Sequence, residues 1–299
     1  MNRVVISGAN GFIGSSLVKK YHENGYEVIA LIKDENENIE QIKDYSTIIY
    51  SELSNVEYLV KKLQSDQPTL FYHLAWAGVN GPDKANYEIQ LLNVRMTCDC
   101  ISIAEKIGCK RFLCAGTIAE RAIESFTDLD NISGGMMYAV SKKSARMFTE
   151  ILCKSNGLDF VWMQFSNIFG PSNRTGNLIS YTLGQLAKND EAIFGPAQQP
   201  YDFIFVNDLI EAVYRLGIKD NLSKHEYFIG SDKPRQLKDY LLEIGRIAGK
   251  EKLIKIGTRE DDGIKYTYDM FKTEALVKEI GRYVSRDFSE WIKYTIDNY

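Results

Sequence analysis

Three glycines, Gly8, Gly11 and Gly14 in the run VVISGANGFIGSSL, constrain this chain more than any other feature. The residues before them are apolar and β-branched and read as a strand, whereas GFIGSSLVKKYHENG reads as a helix ending at Gly25. The glycines therefore sit at the first strand–helix junction. Gly8 permits a tight turn, Gly11 lets backbone approach a pyrophosphate, and Gly14 lets the helix pack on the strand. The helix N-terminus adds free N–H groups and the positive end of a dipole. Glycines also mark ordinary turns, but at the first junction of an alternating chain this spacing points to a bound dinucleotide.

The rest of the first half keeps that alternation. YEVIALI and STIIYSEL read as strands, NVEYLVKKLQSD as a helix and TLFYHLA as a strand. A long helix, ANYEIQLLNVRMTCDCISIAEKIG, closes at Gly108, followed by the strand RFLCAG. MYAVSKKSARMFTEILCKSNG is a helix beginning at the tyrosine, and LDFVWMQFS is a further strand. Strands apolar on both faces, alternating with helices, predict an α/β chain with a doubly wound parallel sheet. After about residue 166 the rhythm breaks. NIFGPSNRTGN reads as a loop, LISYTLGQLAK as a helix, and PYDFIFVNDLIEAVYRLG as a strand then a helix. The segments YDMFKTEALVKEIG and RDFSEWIKYTIDNY are helical. The expected organisation is a dinucleotide-binding core at 1–165 plus about 201–218. A smaller mixed α/β lobe for substrate takes 166–200 and 219–299, a division that suits 299 residues.

Composition narrows the partners. A net charge of −4 does not advertise nucleic acid or an anionic membrane. No apolar run approaches the roughly 18 residues of a membrane span. The opening MNRVVISGANG enters a strand at once with no cleavage site, so the expected location is the cytoplasm. The five cysteines, Cys98, Cys100, Cys109, Cys114 and Cys153, are odd in number and lack metal-knuckle spacing, and are expected as reduced thiols. The three histidines, His22, His73 and His225, lie far apart, so no metal site is expected. His73, at the end of an apolar run, is expected to be a hydrogen-bonded strand-end residue and not a catalytic one.

Two further sites carry chemistry. The residue ending the second strand selects the dinucleotide, and an acid there would bind the ribose hydroxyls of NAD. Here Ile32 and then Lys33 occupy that point. An uncharged residue followed by a cation suits the 2′-phosphate of NADP(H), which is favoured over NAD(H); Asp34 would serve NAD if the strand ended later. In MMYAVSKKSA, Tyr138 and Lys142 lie one turn apart on one helix face. An ammonium beside a phenol lowers the tyrosine from its usual pKa of about 10 and makes it a usable acid/base. Upstream, Thr117 ends the strand RFLCAG and presents a hydroxyl.

The ordered set GANGFIG, FYHLA, Asn93–Val94, AGT, YAVSK, SNIFGP and YDFIFVNDL resembles the extended short-chain dehydrogenase/reductase family over nearly the whole chain. That family holds the NAD(P)-dependent nucleotide-sugar epimerases, dehydratases and 4-ketoreductases. The resemblance implies a Rossmann domain for the cofactor and a C-terminal lobe for a nucleotide-diphosphate sugar. It implies that Thr117 hydrogen-bonds the reacting sugar oxygen, that Tyr138 is the acid/base and that Lys142 is its partner. It implies cofactor contacts from Gly8, Asn10, Gly11, Phe12, Ile13 and Gly14, from Lys33, Glu52 and Leu53, from Leu74, Ala75 and Asn93, and from Lys142. Substrate contacts are implied for Trp76, Asn167, Asn177, Leu178, Arg174 and Arg259. A homodimer through the helices at 85–107 and 138–156 is implied as well.

The chain departs from the family pattern at three places. Tyr201 and Gln164 stand where arginines are usual, and Arg121 stands where a tyrosine is common. The first two remove cations expected near a diphosphate and leave Arg174 or Arg259 as replacements.

The family reactions share hydride transfer at a sugar carbon, usually C4, and diverge afterwards. A 4,6-dehydratase needs an acidic pair directly after the threonine, and a 3,5-epimerase/reductase needs an acid/base such as cysteine there. Here those positions are Ile118 and Ala119. Plain C4 chemistry remains. NADP(H)-dependent reduction of a 4-keto-6-deoxy nucleotide-sugar is expected, with an NAD-dependent nucleotide-sugar 4-epimerase as the alternative. A non-catalytic dinucleotide sensor is disfavoured because Thr117, Tyr138 and Lys142 are all kept.

Overall fold

A computed structural model of the chain describes residues 2–64, 67–126, 133–171, 173, 176–260 and 265–298. The first half runs β1 (Arg3–Ser7), α1 (Phe12–Glu23), β2 (Glu27–Ile32), β3 (Thr47–Tyr50), α2 (Val56–Leu63), β4 (Leu70–His73), α3 (Tyr87–Lys106), β5 (Arg111–Thr117), α4 (Gly134–Asn156) and β6 (Asp159–Phe165). Then follow β7 (Asn167–Phe169), α5 (Leu178–Ala187), β8 (Ala192–Ile193), β9 (Pro200–Tyr201), β10 (Phe203–Phe205) and α6 (Val206–Ile218). The chain ends with β11 (Glu226–Ile229), β12 (Arg235–Gln236), α7 (Leu237–Ile247), β13 (Ile254–Lys255), α8 (Glu274–Ile280) and α9 (Phe288–Asp297).

The main sheet has seven strands in the order β11-β6-β5-β4-β1-β2-β3, every pair parallel. Alternation of side chains along each strand divides the core in two. Val4, Ile6, Val28, Ala30 and Ile32 face a layer that includes Leu17 and Val18 of α1 and Leu209 and Val213 of α6. Val5, Ile29 and Leu31 face the other way, toward Leu59 and Leu63 of α2, Val94 and Ile101 of α3, and Ala145 and Cys153 of α4. Strand order reverses between β1 and β4, and in open parallel sheets a crevice forms there beyond the carboxyl ends of the strands. Gly8, Ala75 and Thr117 all follow or end strands at that edge.

The core is tied from behind by Arg111, a buried arginine at the start of β5. Its guanidinium donates to Asp159 Oδ2 (2.6 Å) and to the carbonyls of Leu216, Gly217 and Lys219 at the end of α6. It answers carbonyls that a helix end leaves without intrahelical partners.

The structure differs from the sequence expectation in several elements. β11, within the stretch 219–299 assigned to the lobe, instead completes the main sheet beside β6. It is only four residues long, too short to show a period. α7 was not among the expected elements either, although Leu237, Tyr240, Leu241 and Ile244 repeat with helical spacing and are buried. The expected loop at NIFGP contains β7, which pairs in parallel with β10. α4 begins at Gly134, before Tyr138. Its first turn tolerates glycine because a side chain at Gly134 would crowd Ala85, with a Cβ 3.2 Å from the Ala85 Cβ.

Beyond the sheet, Phe169, Phe203, Phe205, Tyr240, Phe288 and Trp291 form an aromatic cluster, with Phe205 stacked on Trp291 at 3.8 Å. The five cysteines are free thiols. Among the described residues no helix is long and apolar enough to cross a membrane, and no group of three or more His, Cys, Asp or Glu is placed to hold a metal ion.

Candidate active site

The glycine loop has the geometry its sequence demands. Gly8 has φ +69°, and a Cβ there would lie 2.7 Å from the Ala75 nitrogen. A side chain at Gly14 would overlap the Gly8 carbonyl oxygen. Gly11 is the N-cap of α1 with no side chain to cap it, so the first N–H groups of the helix stay available to an anion. These cradles, which any Cβ would fill, fit the pyrophosphate of a dinucleotide. Asn10 donates to Glu37 Oε2 at 3.1 Å. Phe12 and Ile13 are half-buried in the first turn of α1, where the Phe12 ring packs against Gly170.

At the adenine end β2 stops at Ile32, so Lys33 is the first residue beyond the strand. Its ammonium lies 3.5 Å from Glu52 Oε1, with both side chains exposed. Asp34 accepts the Asn36 N–H at 2.9 Å and so belongs to a local turn. Leu53 is buried behind Glu52.

Thr117 ends β5 and caps the 3-10 turn Ile118–Ser125. Its Oγ1 accepts the Ala119 N–H at 3.3 Å, and its side chain acts on the Tyr138 phenol, which it holds down against burial. Lys142, one turn along α4, donates to the Ala115 carbonyl at 2.7 Å and sits 3.6 Å from the centre of the Trp76 ring. The three residues expected to act together are therefore brought together. One expectation is corrected. Tyr138 is not lowered by its lysine: burial pushes the phenol above its ordinary value, the charge of Glu120 raises it further, and Thr117 opposes. Lys142 aims at a carbonyl and an indole ring, and burial lowers it against the opposing pull of Cys114 and Glu120.

The roof of the site is the loop after β4. Leu74 and Ala75 lie against Gly8. Trp76 sets its ring edge-on to Tyr138, 6.2 Å between centroids, and donates to Gln90 Oε1 at 2.9 Å. Asn93 holds the loop with both ends of its amide, accepting from Ala77 N and donating to Ala77 O at 2.9 Å each. Lys84, unforeseen in the sequence, places its ammonium 5.0 Å from the Tyr138 ring centre; a lone lysine in a short turn carries no signal. His73 is the satisfied core residue expected, bonded to Ser7 (2.9 Å) and Thr97 (3.2 Å). Burial and then the Lys142 charge lower it to about 3, so the ring is neutral.

In the C-terminal half a cleft of about 420 Å³ is lined by Leu178, Tyr181, Phe194, Gln199, Tyr201 and Arg259, among others. The Arg259 guanidinium lies 5.8 Å from the Tyr181 ring centre. The asparagine side chains are engaged with the protein itself. Asn177 caps α5 through the Ser180 N–H and donates to the Ile168 carbonyl, both at 2.9 Å. Asn167 donates to the Asp202 carbonyl and accepts the Tyr201 hydroxyl at 2.9 Å. Arg174 lies outside the described residues. Arg121 turns back into the protein, donating to Gln164 Oε1 (2.6 Å) and the Met270 carbonyl (2.7 Å).

The description NAD dependent epimerase/dehydratase family belongs to the family model that matches residues 4–230. The chain is 25% identical over 263 residues to a CDP-abequose synthase of Salmonella typhimurium, covering 86% of this chain and 85% of that one. It is 25% identical over 217 residues to dTDP-6-deoxy-L-talose 4-dehydrogenase (NAD(+)) of Aggregatibacter actinomycetemcomitans, covering 69% and 76%. The crystal structure of UDP-glucose 4-epimerase with UDP-glucose from Thermotoga maritima superimposes with a TM-score of 0.81 at 19% identity, covering 99% and 98%.

Proposed function

The chain belongs to the NAD dependent epimerase/dehydratase family, and from that premise we propose that it reduces the C4 ketone of a 4-keto-6-deoxy nucleotide-diphosphate sugar with NADPH. The observation that carries this reading is the grouping of Thr117, Tyr138 and Lys142 beside a turn whose first two side chains, Ile118 and Ala119, are buried and apolar. One phenol placed to give a proton at the sugar oxygen, with no second acid or base beside Thr117, suits plain reduction at C4. The names of two relatives, CDP-abequose synthase and dTDP-6-deoxy-L-talose 4-dehydrogenase, support a nucleotide-linked sugar as substrate.

In this reading Gly8, Gly11 and Gly14 receive the pyrophosphate at the N-terminus of α1. Leu53, Leu74 and Ala75 supply apolar walls, and Lys142 holds the ribose beside the reacting ring. When bound, the dinucleotide supplies the hydride. Tyr138 gives its proton to the C4 oxygen as negative charge develops on it, and Thr117 donates a hydrogen bond to the same oxygen and fixes its distance. The buried, apolar Ile118 and Ala119 offer no second acid or base next to Thr117, so water is not eliminated from the sugar. Trp76 covers the sugar ring, and Arg259 answers the diphosphate.

Lys33, just past β2, is the cation for a 2′-phosphate. A panel of nucleotide-sugars offered with NADPH and with NADH tests the whole reading, and product stereochemistry identifies the sugar. Lys33→Ala is expected to weaken NADPH about tenfold, the loss of one charge-assisted hydrogen bond, and to leave NADH unchanged. Equal loss for both cofactors would move the 2′-phosphate site elsewhere.

We further infer a homodimer. Tyr87, Leu91 and Leu92 on α3 and Met137, Val140, Met147, Phe148 and Ile151 on α4 are exposed, with Leu91 at 62% and Ile151 at 60%. α3 and α4 pack side by side, so these residues make one apolar face of a kind that marks an association surface. Sedimentation velocity should give two chains per particle, and Leu91→Asp with Phe148→Asp should give one; a wild-type monomer would refute the inference.

A further inference from the structure

Glu120 is a charged residue that the proposed chemistry does not use, and yet it is built into the floor of the site. It is 2% exposed. Its Oε1 accepts the Thr117 backbone N–H at 2.7 Å. The Trp162 indole N–H, from β6, reaches both carboxylate oxygens at 3.2 and 3.0 Å. With Thr117 Oγ1 on the Ala119 N–H, this completes a reciprocal cap of the turn. Gly116 makes the arrangement possible. A Cβ there would lie 2.8 Å from Glu120 Oε1 and would overlap the Trp162 indole nitrogen. Burying a carboxylate is costly unless it is hydrogen-bonded and faces a compensating charge. A cap on an exposed turn needs no such burial, so the inward placement needs a second reason.

That reason lies across the site. The elements packed around Glu120 present Lys142 and Tyr138 from α4, Cys114 from β5 and Arg121 from its own turn, with neutral Trp162 and Gln164 from β6. Lys84 faces Tyr138 from the loop after β4, and neutral His73 lies near Lys142. Lys142 is the buried ammonium of this group, and Glu120 is its buried carboxylate.

We propose that Glu120 is a positioning residue of this active site: its carboxylate locks Thr117 at the end of β5 and, when ionised, supplies the negative charge that faces the Tyr138 and Lys142 pair. The charge acts in one direction. It raises Tyr138 and Lys142 alike, so the phenol keeps its proton for delivery and the lysine stays an ammonium. Burial pushes Glu120 itself up, with the Thr117 N–H, Lys142, Trp162 and Gln164 drawing it back. The clamp and the charge are separable by substitution.

The inference rests on the proposed role of Tyr138, and the test keeps the two apart. Wild type, Tyr138→Phe, Glu120→Gln and Glu120→Asp are assayed for ketone reduction across pH. Turnover that survives in Tyr138→Phe would defeat the underlying reading whatever Glu120 does. With that turnover lost, Glu120→Gln keeps an acceptor for Thr117 but removes the charge. The high-pH fall of kcat/KM should then move about one unit lower, a tenfold change in proton affinity, with dinucleotide affinity unchanged. Glu120→Asp keeps the charge but shortens the clamp, so kcat should fall about tenfold with the pH profile in place. A Gln profile that superimposes on wild type would overturn the charge role. An Asp variant with wild-type kcat would overturn the clamp, and it does so even if the Gln variant fails to fold.

Discussion

Tyr138→Phe is expected to lower turnover by about 10²–10⁴-fold while the protein still binds its dinucleotide. The phenol is the group placed to move a proton at the sugar oxygen: it lies one turn from Lys142, and the Thr117 side chain acts on it. Removing one oxygen leaves the ring, its edge-on contact with Trp76 and the position of α4. KM and dinucleotide affinity should therefore stay within about threefold of wild type, because neither depends on the lost proton. The check is steady-state kinetics beside a direct binding titration. Turnover within tenfold of wild type would remove Tyr138 from the chemistry.

Gly14→Ala should act on the other half of the site. The added methyl meets the Gly8 carbonyl oxygen, which is backbone and cannot swing aside. Either α1 shifts away from the turn or the turn opens, and both displace the N–H groups that receive the pyrophosphate. Overpacking of this kind costs about 1–3 kcal/mol, which expressed as binding is about 10- to 100-fold in dinucleotide affinity. Calorimetric titration with NADPH reads it directly, with far-ultraviolet circular dichroism as the control for folding. Unchanged affinity would mean that the dinucleotide does not sit on the N-terminus of α1.

The glycine loop was legible because backbone geometry dictated it. Gly8 must take positive φ and Gly14 must have no side chain, and no other residue type meets both needs. The parallel strands were legible for the same local reason, since both faces of β1, β2 and β4 are covered and, apart from polar residues at their ends, their sequences are apolar. Tyr138, Lys142 and Thr117 were legible as a spacing. What spacing could not convey was orientation. Lys142 turns to Ala115 and Trp76, and the depressed phenol expected from sequence became a raised one.

Glu120 carried a readable signal, since Thr117 and Glu120 have the spacing of a reciprocal helix cap. Its inward placement needed Trp162, 42 residues away, and a glycine at 116. Lys84 gave no signal at all. β11 escaped because four residues show no period, and its place beside β6 is a tertiary fact.

The central claim, reduction at C4, meets its most direct test in one reaction. Purified protein is mixed with a nucleotide-linked 4-keto-6-deoxy sugar and NADPH, and the dinucleotide and the sugar are followed together. The account predicts that NADPH is consumed in equal amount with the ketone and that a single C4 alcohol forms. Retention of NADPH with every 4-keto sugar offered, together with interconversion of C4 epimers in the absence of added dinucleotide, would contradict it.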